Sequence, residues 1–139
     1  MFPLLESIKI LNGKAQNLSY HQHRFEASYF KMYGKLTSIQ LTNLIQVPED
    51  YRSGVVKLRL LYNETDCFCQ YDDYKKRDIK TLQLIVADQL NYDLKWTNRK
   101  VFDDLKNKAH RADDILIIKN GRLTDTSFSN IIFYDGDNG

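Results

Sequence analysis

Two Asn-Gly dipeptides, Asn12-Gly13 and Asn120-Gly121, constrain this chain most. Each lies between two candidate strand segments: Leu4 to Leu11 and Lys14 to Leu18 around the first, Asp114 to Lys119 and Arg122 to Thr124 around the second. The tightest hairpin turn needs positive φ at both central residues, and Asn followed by Gly meets that need at the lowest cost. The sequence therefore predicts an antiparallel hairpin near each end, with everything else arranged between them.

Between the hairpins the periodicity changes. Phe25, Tyr29, Met32 and Tyr33 recur at helical spacing, which predicts a helix over Tyr20 to Tyr33 ended by Gly34. Thr37 to Gln46 reads as a second short helix, with Pro48 beyond it. Gly54 to Tyr62 alternates, placing Val56, Leu58, Leu60 and Tyr62 on one face and Val55, Lys57, Arg59 and Leu61 on the other. Cys67 to Tyr74, Thr81 to Ala87 and Ser129 to Tyr134 are further strands. Asp72 to Lys80 is a solvated, charged connection. Asn98 to His110 reads as a helix with Val101, Leu105 and Ala109 inward. A boundary near Asp88 to Leu94 divides an α/β part, residues 1–88, from a β-rich part, residues 89–139. The fold class is α+β.

Composition removes several functions. Hydrophobic content of 42% and charged content of 27% suit a packed domain rather than a disordered chain. Nine Tyr and seven Phe fit a strand-rich core. They also raise the idea of an aromatic nucleic-acid-binding barrel, but a net charge of +2 with no basic stripe argues against nucleic acid. No apolar run approaches the ~20 residues of a membrane helix, and the N-terminus lacks a signal-peptide pattern, so a cytoplasmic location is expected. Cys67 and Cys69 are too close for a ready disulfide and are expected to be reduced thiols. With only His21, His23 and His110 as further candidates, no metal site is expected.

Chemistry concentrates in four places. Lys95-Trp96-Thr97-Asn98-Arg99 lies between a strand and a helix, and Thr124-Asp125-Thr126-Ser127-Phe128-Ser129-Asn130-Ile131-Ile132-Phe133 follows the second hairpin. His21-Gln22-His23-Arg24 opens the first helix, and an arginine suits a phosphate because its planar fork offers parallel donors. Lys57 and Arg59 leave one face of a strand, where two cations could hold a substrate carboxylate.

In order and spacing these segments resemble the class IV aminotransferases, the pyridoxal-phosphate (PLP) enzymes of fold type IV. That family includes D-amino-acid aminotransferase, branched-chain aminotransferase and aminodeoxychorismate lyase. The resemblance implies an α/β N-terminal domain and a partial barrel-like C-terminal domain. It implies PLP as cofactor, bound as a Schiff base to Lys95. Arg24 would hold the cofactor phosphate, Asn98 would bond near the ring, and Asp125 would face the pyridinium nitrogen and keep it protonated. Lys57 and Arg59 would contact an amino-acid-like substrate. Asn130 would satisfy backbone groups in its turn, and His21 would be structural. The Lys-x-x-Asn-Arg form leans towards the lyase branch, and the family implies a homodimer.

Two departures accompany the resemblance. The family usually has Glu where this chain has Asp125. Its members also continue past the last strand into a Thr-Pro segment and a glycine-led turn, which completes the phosphate cup at a helix N-terminus. The printed chain stops after Tyr134 to Gly139. The expectations are a C-terminally truncated second domain, weakened cofactor binding, and exposed strand faces carrying Ile115, Ile117 and Ile131. The alternative reading is a catalytically impaired remnant that folds and dimerises without tight cofactor binding.

Overall fold

The computed structural model describes residues 1–109 and 111–136. They form two compact units, Met1–Lys76 with Tyr92–Thr97, and Arg77–Asn91 with Asn98–Gly139. The units interleave along the chain instead of dividing at one point near residue 88. The reason is strand pairing: the strand at residues 82–86 joins the sheet of the second unit, and residues 92–97 return to the first.

The first unit is a four-stranded antiparallel sheet with one face covered by a helix. Its elements are β1 (Leu4–Leu11), β2 (Lys14–Ala15), α1 (Leu18–Tyr33), α2 (Leu41–Leu44), β3 (Val55–Tyr62) and β4 (Cys67–Asp73), in sheet order β2-β1-β3-β4. Asn12 and Gly13 have φ of 46° and 78°, as the tight hairpin requires. Leu4, Glu6, Ile8 and Ile10 of β1 pair with Tyr62, Leu60, Leu58 and Val56 of β3. All eight are buried, and with Phe25, Tyr29 and Leu41 they form the core, Glu6 being its charged member. The alternation of β3 is as read from the sequence. α1 begins two residues earlier than predicted and ends where Gly34 N–H bonds Phe30 O at 2.8 Å. Met32 is 39% exposed, because Phe25 and Tyr29 already fill the inward stripe. The second short helix spans only Leu41–Leu44.

β1 is flanked by β3 along its whole length, while β2 covers only Ile10 and Leu11 on the other edge. The start of that edge is taken by residues 95–97. Leu5 N–H donates to Lys95 O (3.0 Å), Thr97 N–H to Pro3 O (2.7 Å) and Thr97 Oγ1 to Phe2 O (2.7 Å). Trp96 forms a bridge opposite Leu4. Backbone groups that would otherwise be unpaired are thereby satisfied.

The second unit holds β5 (Leu82–Val86), α3 (Lys100–Asn107), β6 (Asp114–Lys119) and β7 (Arg122–Thr126), in sheet order β5-β6-β7. β5 runs parallel to β6, and β6 and β7 form the second hairpin, with Asn120 and Gly121 at φ of 50° and 72°.

Four expectations are corrected here. Ile115 and Ile117 are 0% exposed, and the apolar side chains left open include Leu82, Leu84 and Val86 of β5 together with Ile132 and Phe133. Ile131 is half-buried. Phe102 and Leu105 face inward from α3 at i, i+3 spacing with Ala109 also buried, whereas Val101 is 54% exposed. Residues 129–134 form no strand, because a strand needs a ladder partner and a turn built on Thr126 redirects the chain. The predicted helix end at His110 lies outside the described residues. No helix among the described residues is long and apolar enough to cross a membrane.

Candidate functional site

In the first unit the most constrained charges surround Glu6, a residue the sequence reading passed over. Its carboxylate, 0% exposed, lies on the helix side of β1. An unpaired carboxylate there would cost several kcal/mol. α1 supplies its partners from two positions one turn apart. Arg24 Nε donates to Oε1 (2.9 Å) and Oε2 (3.1 Å), and Arg24 Nη2 donates to Oε2. His21 Nδ1 lies 2.7 Å from Oε2. Burial pushes the Glu6 carboxyl up, but the His21 and Arg24 hydrogen bonds outweigh it and hold it below the ordinary value. The Glu6 hydrogen bond in turn raises Arg24, against the opposing effect of burial.

Arg24 thus uses its Nε–Nη2 edge on Glu6. Its side chain is 48% exposed, and Nη1 makes no hydrogen bond among the described residues. The helix turn carrying His21 and Arg24 is itself tethered. Gln22 Nε2 donates to Ile39 O (2.9 Å), and Leu41 N–H donates to Gln22 Oε1 (2.8 Å).

Lys95 is half-buried, and its backbone is fixed on the edge of β1 as described above. Lys57 and Arg59 leave the sheet face opposite α1, as expected from alternation. Lys57 pairs with Lys9 and Asp72, and Arg59 with Ser7 and Gln70. Arg59 is half-buried and Lys57 exposed.

In the second unit, Asn98 Oδ1 accepts from Lys100 N–H (3.0 Å) just before α3. Arg99, which the sequence reading treated only as part of the box, is a structural hub. Its Nη2 donates to Ser127 O (2.6 Å), and its guanidinium stacks on Phe102 at 3.9 Å. Burial lowers its pKa, partly offset by the charges of Asp125 and Asp103. Asp125 is half-buried near the end of β7. Its Oδ1 accepts from Thr126 N–H (2.9 Å), and its other oxygen has no hydrogen-bond donor among the described residues.

The loop after Asp125 is tightly built. Thr126 Oγ1 accepts from Ser129 N–H (2.7 Å) and donates to Ser129 O (2.8 Å). Thr126 therefore satisfies the turn that Asn130 was expected to satisfy; Asn130 is exposed. Ser127 Oγ donates to the buried Asp114 carboxylate. The signal for Asp114 was legible as an acid opening an apolar strand, and that for Glu6 as an acid inside the alternation Leu4-x-Glu6-x-Ile8-x-Ile10.

No protein-family model matches the chain. An uncharacterised protein of Haemophilus influenzae Rd is 37% identical over 138 residues, covering 98% of this chain and 73% of that protein. A solved structure from Haemophilus somnus 129pt, provisionally named a 4-amino-4-deoxychorismate lyase, is 33% identical with a TM-score of 0.83, covering 94% of this chain and 70% of that one. A Legionella pneumophila structure with the same provisional name shares the fold at a TM-score of 0.68 and 19% identity; this chain spans 55% of its length. The chain belongs to the family of the Haemophilus influenzae protein, and its mixed α/β fold is that of the Haemophilus somnus structure.

Proposed function

We propose that this chain performs PLP-dependent chemistry on an amino-acid-like substrate, with aminodeoxychorismate cleavage favoured over transamination. The observation that carries the reading is the fixed backbone of Lys95 within Lys-Trp-Thr-Asn-Arg, in a chain 33% identical to a protein provisionally named for that cleavage. The side chains suit the cofactor in kind. Arg24 presents an open guanidinium edge suited to a phosphate, and Asp125 has an oxygen free to accept from a protonated ring nitrogen. When bound, PLP supplies an electron sink for loss of the proton on the substrate carbon that bears the amino group.

This chain's residues would do the rest. Lys95 Nζ would hold the cofactor, take the proton from that carbon and give it to the group that leaves the neighbouring carbon. Arg24 would orient the cofactor by its phosphate, and Asp125 would hold a proton on the ring nitrogen. Asn98 would contribute near the ring, and Lys57 with Arg59 would hold a substrate carboxylate. A homodimer in solution belongs to the same reading; light scattering on the purified chain tests it.

Asp125 also favours a second reading. Its side chain is one methylene shorter than the family's Glu and is engaged by Thr126 N–H, which suits a remnant that folds without tight cofactor binding. Borohydride reduction after incubation with PLP, followed by peptide mass mapping, separates the two. A pyridoxyl adduct confined to Lys95 and lost in Lys95→Ala supports the enzyme. No adduct, or adducts scattered over surface lysines, supports the remnant.

A further inference from the structure

Glu6 occupies a position where its strand otherwise carries aliphatic residues. Leu4, Ile8 and Ile10 flank it on the same face, Leu60 lies opposite, and all are buried. Apolar replacement of a buried ion pair is often harmless to stability, so packing alone gives no reason for a carboxylate here. Its distinctive effect is geometric. Two oxygens grip the Nε–Nη2 edge of Arg24, which fixes the guanidinium plane, and His21 Nδ1 holds the same carboxylate at 2.7 Å. Gln22, between the two, locks their helix turn to residues 39–41. The remaining Nη1 edge is left open on a half-exposed side chain.

We infer that Glu6 is a positioning residue that aims the open Nη1 edge of Arg24 at a phosphate monoester, so that the guanidinium is already ordered when the anion arrives. The inference rests on the proposed function for the identity of that anion, the cofactor phosphate. A fixed donor saves the ordering cost that a free arginine would bear on binding.

Aiming and mere charge neutralisation predict opposite signs. Glu6→Gln removes a negative charge beside Arg24. If Glu6 only neutralised Arg24, the substitution would strengthen phosphate binding. If Glu6 aims it, binding weakens despite the more positive potential.

The test uses the full chain, 15N-labelled, and follows the Arg24 Nε–H resonance while inorganic phosphate is titrated. The Lys95→Ala background excludes lysine chemistry. Phosphate is expected to move the resonance, and Glu6→Gln to weaken that response about tenfold, the loss of roughly one charge-assisted hydrogen bond. Should Glu6→Gln fail to fold, Glu6→Asp keeps the charge, withdraws the carboxylate by one methylene and is expected to weaken binding likewise. A silent resonance in the parent, or phosphate binding unchanged or tighter in a folded Glu6 variant, overturns the inference.

Borohydride trapping with Lys95 intact keeps the two readings apart. A Lys95 adduct with phosphate binding indifferent to Glu6 sinks only the role of Glu6. A Glu6-dependent phosphate response without an adduct sinks only the cofactor reading.

Discussion

Arg24→Ala tests the charge arrangement of the first unit most directly. It leaves the Glu6 carboxylate, fully buried, with His21 as its remaining partner. Breaking a buried pair from one side costs about 3–5 kcal/mol. Arg24 is itself half-exposed, so its charge is partly solvated, and the lower end, about 3 kcal/mol, is expected. That is a large part of the roughly 5–15 kcal/mol of a whole domain.

Glu6→Leu combined with Arg24→Leu removes both charges and is expected to lie within about 1 kcal/mol of the parent. Urea unfolding followed by the fluorescence of Trp96, the chain's one tryptophan, reports on this unit because Trp96 bridges to Leu4.

The pH dependence adds a sign. In the parent, Glu6 lies below its ordinary 4.5, so its contribution is complete above that value and is lost as pH falls through the lowered one. In Arg24→Ala, burial pushes the carboxyl up, and protonation relieves the penalty as pH falls. The stability gap therefore narrows on acidification. A variant within about 0.5 kcal/mol of the parent at pH 7, or a gap of equal size at pH 7 and about pH 4, would refute the reasoning.

Ser127→Ala removes the hydroxyl that satisfies buried Asp114. It should destabilise the second unit by about 1–3 kcal/mol, read as faster amide exchange along β6 and β7. Gly121→Val places a branched side chain at φ of 72°; a loss of about 1 kcal/mol or more of stability, read as a lower denaturation midpoint, is expected, and no loss would count against the turn geometry. Thr97→Val deletes the bond to Phe2 O and should cost about 1 kcal/mol, with a lower yield of trapped Lys95. Asp125→Glu restores the length the family favours and should raise the fraction of chain reduced onto PLP; an unchanged or lower fraction would show that reach to the ring nitrogen is not what limits binding.

The parts of the fold legible in the sequence were those set by local rules. Both Asn-Gly turns have the positive φ they imply, and Val56, Leu58, Leu60 and Tyr62 face the core as their alternation requires. The failures share a cause, which is that tertiary pairing decides what period alone leaves open. Val101 and Phe102 are adjacent apolar residues, and only the sheet beneath α3 selects Phe102. Residues 129–134 have a strand-like composition but no ladder partner among the described residues. Leu82–Val86 precedes the expected boundary, yet its parallel partner β6 draws it into the second unit. For the site, the motif residues could be named but not their supports. Glu6 is separated by 18 residues from Arg24, and Arg99 by 28 from Ser127, distances at which no spacing rule operates.

β1 then emerges as a common ruler for two groups the proposed chemistry needs. Leu5, through its backbone N–H, fixes Lys95, and the next residue, Glu6, through its side chain, fixes Arg24. Successive side chains of a strand point to opposite faces, while backbone donors point along the sheet. One strand can therefore hold an edge segment laterally and a helix above without conflict. The Asn12-Gly13 turn and the eight-residue pairing with β3 set the register of that strand. A slip of one residue would turn Glu6 away from α1, bring Leu5 or Ser7 beneath Arg24, and move the partner of Lys95 O along the edge. The register of the first hairpin is thus coupled to the placement of both the lysine and the arginine, although neither residue lies in the hairpin itself.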